Sequence, residues 1–257
     1  MKNKLNQLTL ALPEGAVVGA KWLRNQGYSA SLVTQYVKNS WLNSISRGVY
    51  RRPGRLPQWQ DAVVSASHFG GLELHVGGLT SLQLQGFAHY IPMTEKPDVV
   101  LYVSNVQKTN VWFNKLDLAA TLKIWPNTLF LKNVSQEYIQ DWDWPKLPWP
   151  LHVSVIERAM LELVSLVPKT VTVEHASRIM EGATLLRPDR LTELLLACNN
   201  IRTKRLFLYL AEKTGLPWFE KLKIESVNLG KGKRVIEKGG HLDSKYQIVV
   251  QEQHNGA

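Results

Sequence analysis

The chain has 257 residues, 44% of them hydrophobic, with nine Trp, a single Cys and a formal net charge of +10. That length exceeds the usual single domain of roughly 100 to 150 residues and supplies enough apolar chain for a real core, which excludes a disordered protein and makes two domains the expectation. No run approaches the ~18 apolar residues of a membrane span, and the start from Met1 to Leu12 lacks the continuous apolar stretch of a secretory signal, so a soluble, cytoplasmic protein is expected.

The positive charge sits at one end. Residues 1 to 55 carry nine Lys and Arg against the single acid Glu14, a net of +8, whereas the rest carries 22 basic and 20 acidic groups. A polyanion would therefore meet the amino-terminal end.

Leu5, Leu8 and Leu12 recur at helical spacing and predict a first helix ending at Pro13. After the Glu14-Gly15 turn, Val18, Trp22 and Leu23 predict a second helix near Val18 to Gln26, closed by Gly27. Ser29 or Ser31 can cap a third helix running to about Ser40. On that helix Leu32, Val33, Tyr36 and Val37 share an inward face, which leaves Ser31, Thr34, Gln35 and Lys38 outward. Those side chains are suited to bond base edges or phosphates. Two short β-prone runs around Arg47-Gly48 then predict a hairpin whose tip and exit carry Arg47, Arg51 and Arg52. Three helices and such a hairpin make a winged helix-turn-helix over residues 1 to 55, with the third helix reading DNA and the wing arginines gripping it. A small helical subdomain with a solvated basic face is the competing reading.

Pro53, Gly54 and Pro57 mark the boundary to a larger mixed α/β domain over residues 56 to 257, so the fold class expected is α+β. A helix from Gln58 to Gly70-Gly71, a strand from Leu72 to Val76 and a helix from Thr80 to Gly86 come first. Strand-like runs follow at Val99–Val103, Val111–Phe113 and Leu129–Leu131. The stretch from Asp141 to Pro150 is rich in Trp and Pro and predicts a surface connection whose rings are either partner anchors or core. Ser154 to Glu157 has the form of a capping box opening a helix to about Leu166. Helices are then expected over Val173–Gly182, Pro188–Cys198 and Arg202–Thr214, and strands at Val227–Leu229, Arg234–Ile236 and Tyr246–Val250. Cys198, inside an apolar run, is expected to be buried and inert.

No catalytic, cofactor or metal site emerges. His68, His75 and His89 match no helical ligand pair, and the glycines of Leu229-Gly230-Lys231-Gly232-Lys233-Arg234 lack phosphate-loop spacing. A metal-dependent nuclease would need a second acid and a Lys shortly after Asp98, but the only such motif, Asp243-Ser244-Lys245, lies far downstream. A protein-interaction module using the Trp-rich surface is the alternative from another functional class.

Several stretches in order resemble the AbiEi antitoxins of bacterial type IV toxin-antitoxin systems, which are also transcriptional regulators. They are Gly27-Tyr28-Ser29, the third helix, Ser46-Arg47-Gly48-Val49-Tyr50, Val76-Gly77-Gly78-Leu79-Thr80-Ser81-Leu82, Gly86-Phe87-Ala88-His89-Tyr90, Lys204-Arg205-Leu206-Phe207-Leu208, Leu229-Gly230-Lys231-Gly232 and Gly239-Gly240-His241-Leu242-Asp243-Ser244-Lys245-Tyr246. The resemblance implies a non-enzymatic repressor that binds inverted repeats in double-stranded DNA at its own promoter. It also implies a carboxy-terminal domain that opposes an AbiEii-like nucleotidyltransferase toxin without a stable complex. Lys204, Arg205, Lys231, Lys233 and Arg234 are candidates for an additional nucleic-acid or antitoxin surface.

Overall fold

A computed structural model describes residues 4–87, 96–131, 134 and 136–251. The motif residues Ala88, His89 and Tyr90 lie outside the described residues, as does Lys2 of the basic end. The chain divides into two compact units, one comprising Met1–Val76, Met93–Pro126 and Asp141–Val153, the other Gly77–Pro92, Asn127–Gln140 and Ser154–Ala257.

The first unit opens with α1 (Lys4–Ala11), β1 (Val17–Gly19), α2 (Ala20–Asn25), α3 (Ala30–Lys38), β2 (Asn43–Ser46) and β3 (Val49–Arg51). The three strands form an antiparallel sheet in the order β1-β3-β2, so helices alternate with a small sheet as in a winged helix. The expected second helix begins later than its apolar spacing suggested. Val17 and Val18 are both fully buried in β1, paired with Arg51 and Tyr50, and a strand buried on both faces loses the alternation that would have announced it.

The unit continues with α4 (Trp59–His68), β4 (Leu74–Val76), β5 (Asp98–Val103), α6 (Val106–Phe113) and β6 (Thr121–Pro126), with α5 (Gly78–Leu84) belonging to the second unit. Strands β7 (Ile139–Trp142) and β8 (Leu151–Ser154) complete a mixed five-stranded sheet in the order β6-β5-β4-β8-β7. Val111, Trp112 and Phe113 lie on a helix rather than in the expected strand. The Asn105 side chain caps α6 by accepting from the Lys108 N–H at 2.8 Å, and Thr109 and Phe113, one turn apart, are the buried contacts. The expected Leu129–Leu131 strand reduces to one bridge, Phe130 to Cys198.

In the second unit α7 (Ile156–Ser165) is the central helix, packed against α5, α8 (Val173–Glu181), α9 (Pro188–Ala197) and α10 (Ile201–Lys213). Met160, Leu161 and Leu163 are fully buried on it, each contributing about 1.5 to 3 kcal/mol by leaving water. The expected capping box at its start is absent. Val155 is the cap residue, while the Ser154 hydroxyl donates to Glu162 at 2.8 Å and Glu157 accepts from the Arg187 N–H at 3.1 Å. A three-stranded sheet of β9 (Arg234–Val235), β10 (His241–Asp243) and β11 (Ile248–Val250), in the order β10-β11-β9, packs on α10. Val227–Leu229 forms no strand.

Candidate nucleic-acid interface

Helix α3 begins where Ser29 accepts from the Leu32 N–H at 3.2 Å, and the Ser29 and Ser31 hydroxyls lie 3.0 Å apart. Val33 and Tyr36 are buried, and the Tyr36 ring packs against Tyr28 and edge-on against Trp41. The opposite row, Ser31, Thr34, Gln35 and Lys38, is exposed. Thr34 donates its hydroxyl proton to the Ala30 carbonyl at 2.9 Å, so its donor is taken up within the helix and its oxygen is left as an acceptor. The four side chains therefore present acceptors, a bidentate amide and a cation along a little over two helical turns.

The wing is the β2-β3 hairpin. Ser46 pairs with Val49 across Arg47-Gly48, and Gly48 takes a φ of +76°, which lets so short a turn close. Arg47 is exposed at its tip. Arg51 and Arg52 are half-buried. Arg52 Nη1 donates to the Thr9 and Leu12 carbonyls at 2.9 and 3.2 Å, closing the carboxy-terminal end of α1. Arg51 Nη1 donates to the Arg52 and Gly54 carbonyls at 2.9 and 3.2 Å, shaping the exit from the wing. Lys21 and Arg24, exposed on α2, were not among the sequence candidates; their outward positions on a helix with Leu23 buried were the available signal.

The head is tied to α4. The Val17 N–H donates to the Ser65 hydroxyl at 3.0 Å. Asp61, fully buried, accepts from both terminal nitrogens of Arg55, from Trp144 Nε1 at 2.8 Å and from the Gln58 N–H at 2.8 Å. Burial by itself would raise the Asp61 carboxyl, but the bonds from Arg55, Trp144 and Gln58 outweigh it and hold the group below its ordinary value. Trp149 stacks on His68 with ring centres 3.9 Å apart and meets Phe69 edge-on. Two of the three Trp side chains of the Trp-rich stretch, Trp144 and Trp149, are thus turned onto α4 and its end within the unit. Burial lowers the pKa of His68, while His75 is buried against Tyr102.

Of the carboxy-terminal candidates, Lys204 and Arg205 are not surface groups. They are 4% and 3% exposed, and Arg205 donates to the carbonyls of Leu229, Gly230, Gly232 and Gln247, while Lys204 donates to that of Asn228. They organise the glycine-rich loop from inside, and burial lowers the pKa of both. Lys231 and Lys233 are exposed, and Arg234 is half-buried. Asp98 pairs with Lys123 at 3.7 Å, and Asp243 accepts from the Tyr246 N–H, within the other unit. Among the described residues no three His, Cys, Asp or Glu side chains converge as metal ligands. No described helix is long and apolar enough to cross a membrane.

Two family descriptions match most of the chain: the AbiEi antitoxin N-terminal domain, a transcriptional regulator, over residues 1–93, and the transcriptional regulator AbiEi antitoxin of type IV toxin-antitoxin systems over residues 96–251. The chain belongs to the AbiEi antitoxin family. Both descriptions are those of a transcriptional regulator and antitoxin. The fold resembles the crystal structure of the RV2827C protein from Mycobacterium tuberculosis, with a TM-score of 0.59 and 13% identity over 96% of this chain and 89% of that one. No curated protein matches it. For an AbiEi regulator the exposed row on α3, beside a basic wing, is the natural place to look for contact with DNA.

Proposed function

We propose that residues 1–55 form the DNA-reading module of an autorepressor, docking α3 in the major groove at inverted repeats of its own promoter. Ser31, Thr34, Gln35 and Lys38 read bases or fix register, and Arg47 grips the backbone from the wing tip, with Arg51 and Arg52 behind it. Lys21 and Arg24 add phosphate contacts from α2. The observation that carries this reading is the exposed polar row of α3 opposite its buried Val33 and Tyr36. Residues 56–257 carry the antitoxin role, opposing a nucleotidyltransferase-like AbiEii toxin without a stable complex. In that part Lys231, Lys233 and Arg234 supply any additional surface for an anionic partner.

Fluorescence anisotropy on the DNA upstream of the gene tests the first half. Gln35→Ala should weaken binding by ~1 to 3 kcal/mol and relax specificity at one base pair. Unchanged binding in both Gln35→Ala and Arg47→Ala would remove the assignment. For the second half, growth is followed with the adjacent gene product expressed alone and with this chain, and gel filtration of the pair should show two separate peaks.

A further inference from the structure

Within the first unit, a groove of about 1140 Å³ runs between the winged-helix head and the segment leading into β6. It is somewhat larger than the range typical of small-molecule sites, roughly 300 to 1,000 Å³. One wall is Val37 of the last turn of α3 with the free edge of β2, of which the consecutive residues Asn43, Ser44 and Ile45 all line the space. Leu56, Trp59 and Leu118 add apolar lining. Leu56, which lines the groove, is 72% exposed, a large apolar side chain held open to water. The charges lining it are Arg51, Lys96 and Asp117. Lys96 has no carboxylate partner among the described residues, and only Nη1 of Arg51 is taken up by the chain's carbonyls.

We propose that this groove binds an organic monocarboxylate with a flat apolar body. The carboxylate faces Lys96 and Arg51, and the body covers Leu56, Ile45 and Trp59. A neutral ligand gains no charge pairing with Lys96 or Arg51, and a second carboxylate meets Asp117, so the single negative charge is the discriminating feature. Because Val37 and β2 belong to the helix and wing assigned to DNA, occupancy alters operator affinity, a consequence that rests on the function proposed above.

The test is a fluorine NMR titration of the full chain with trifluoromethylbenzoate, with its methyl ester as the neutral comparison, in the absence of DNA. The acid should bind and the ester should bind at least about fivefold more weakly. Lys96→Gln and Leu56→Asp, both at exposed positions, should each weaken the acid by about fivefold or more, and Lys169→Gln, exposed in the other unit, should not. No binding at millimolar acid, or equal binding by the wild type and both groove variants, overturns the proposal. Anisotropy on operator DNA with and without the acid is read separately. A chain that binds the acid but no DNA keeps the groove and loses the repressor reading, whereas DNA binding without acid binding does the reverse.

Discussion

Arg55 and Asp61 form a forked ion pair, Nη2 donating to Oδ1 at 2.7 Å and Nη1 to Oδ2, with the carboxylate fully buried and the Arg55 side chain 29% exposed. The guanidinium fills the space a Cβ would occupy on Gly15, which itself stands at a φ of +83°. The turn after α1 and the exit from the wing are thereby locked onto the first turn of α4.

Breaking that pair should be costly. Arg55→Ala leaves Asp61 buried with only Trp144 and Gln58 as donors and should cost about 3 kcal/mol in urea unfolding, while Gly15→Ala should cost about as much as the guanidinium is displaced. The Asp61 carboxyl is held below its unfolded value, so its contribution is complete above about pH 5 and disappears as the pH falls through ~3.9 and then through the folded value. Asp61→Asn should be less stable than the wild type at pH 7, and the gap should close on acidification. A gap that stays constant with pH would show that charge is not what Asp61 contributes.

Arg47 and Arg52 should separate cleanly. Arg47→Ala should reduce the salt slope of DNA binding by about one unit and leave the melting temperature alone. Arg52→Ala removes the bonds to the Thr9 and Leu12 carbonyls and should cost ~1 kcal/mol of stability, discounted for its partial exposure. If Arg52→Ala changes only the salt slope, its bonds to α1 are dispensable.

Arg205→Met should destabilise the second unit by about 2 to 4 kcal/mol, because four backbone carbonyls lose a charged donor. Lys231→Gln, at an exposed position in the same loop, should stay within ~0.5 kcal/mol of the wild type. Hydrogen exchange across residues 229–232 would show the loosened loop directly.

Glu162 accepts from Arg158 Nε at 2.7 Å, from the Gly78 N–H at 2.9 Å and from the Ser154 hydroxyl, and both charged side chains are buried. Glu162→Gln should cost about 3 to 5 kcal/mol, since the buried Arg158 guanidinium then loses the carboxylate of its ion pair. The double change Arg158→Met with Glu162→Met should be less damaging than the sum of the singles, as a double-mutant cycle would measure.

The readable part of the head was its helical period. Val33 and Tyr36 against Ser31, Thr34, Gln35 and Lys38 is a pattern that one helix imposes on its own residues, so exposure of that row needed no knowledge of the rest of the chain. The same reasoning misplaced Val18, because a strand buried on both faces carries no period, and Val111–Phe113, because Asn105 set the helix from outside that run.

The sequence by itself determined the concentration of charge at one end, the outward row of α3, the basic turn of the wing and the succession of motifs that mark an AbiEi regulator. Only the tertiary structure decided which cations are free. Lys231 and Arg205 look alike in sequence, yet one is in water and the other is buried among four carbonyls. The partners of a buried charge come from distant turns of the chain, and its burial is tolerable only once those turns have been brought together.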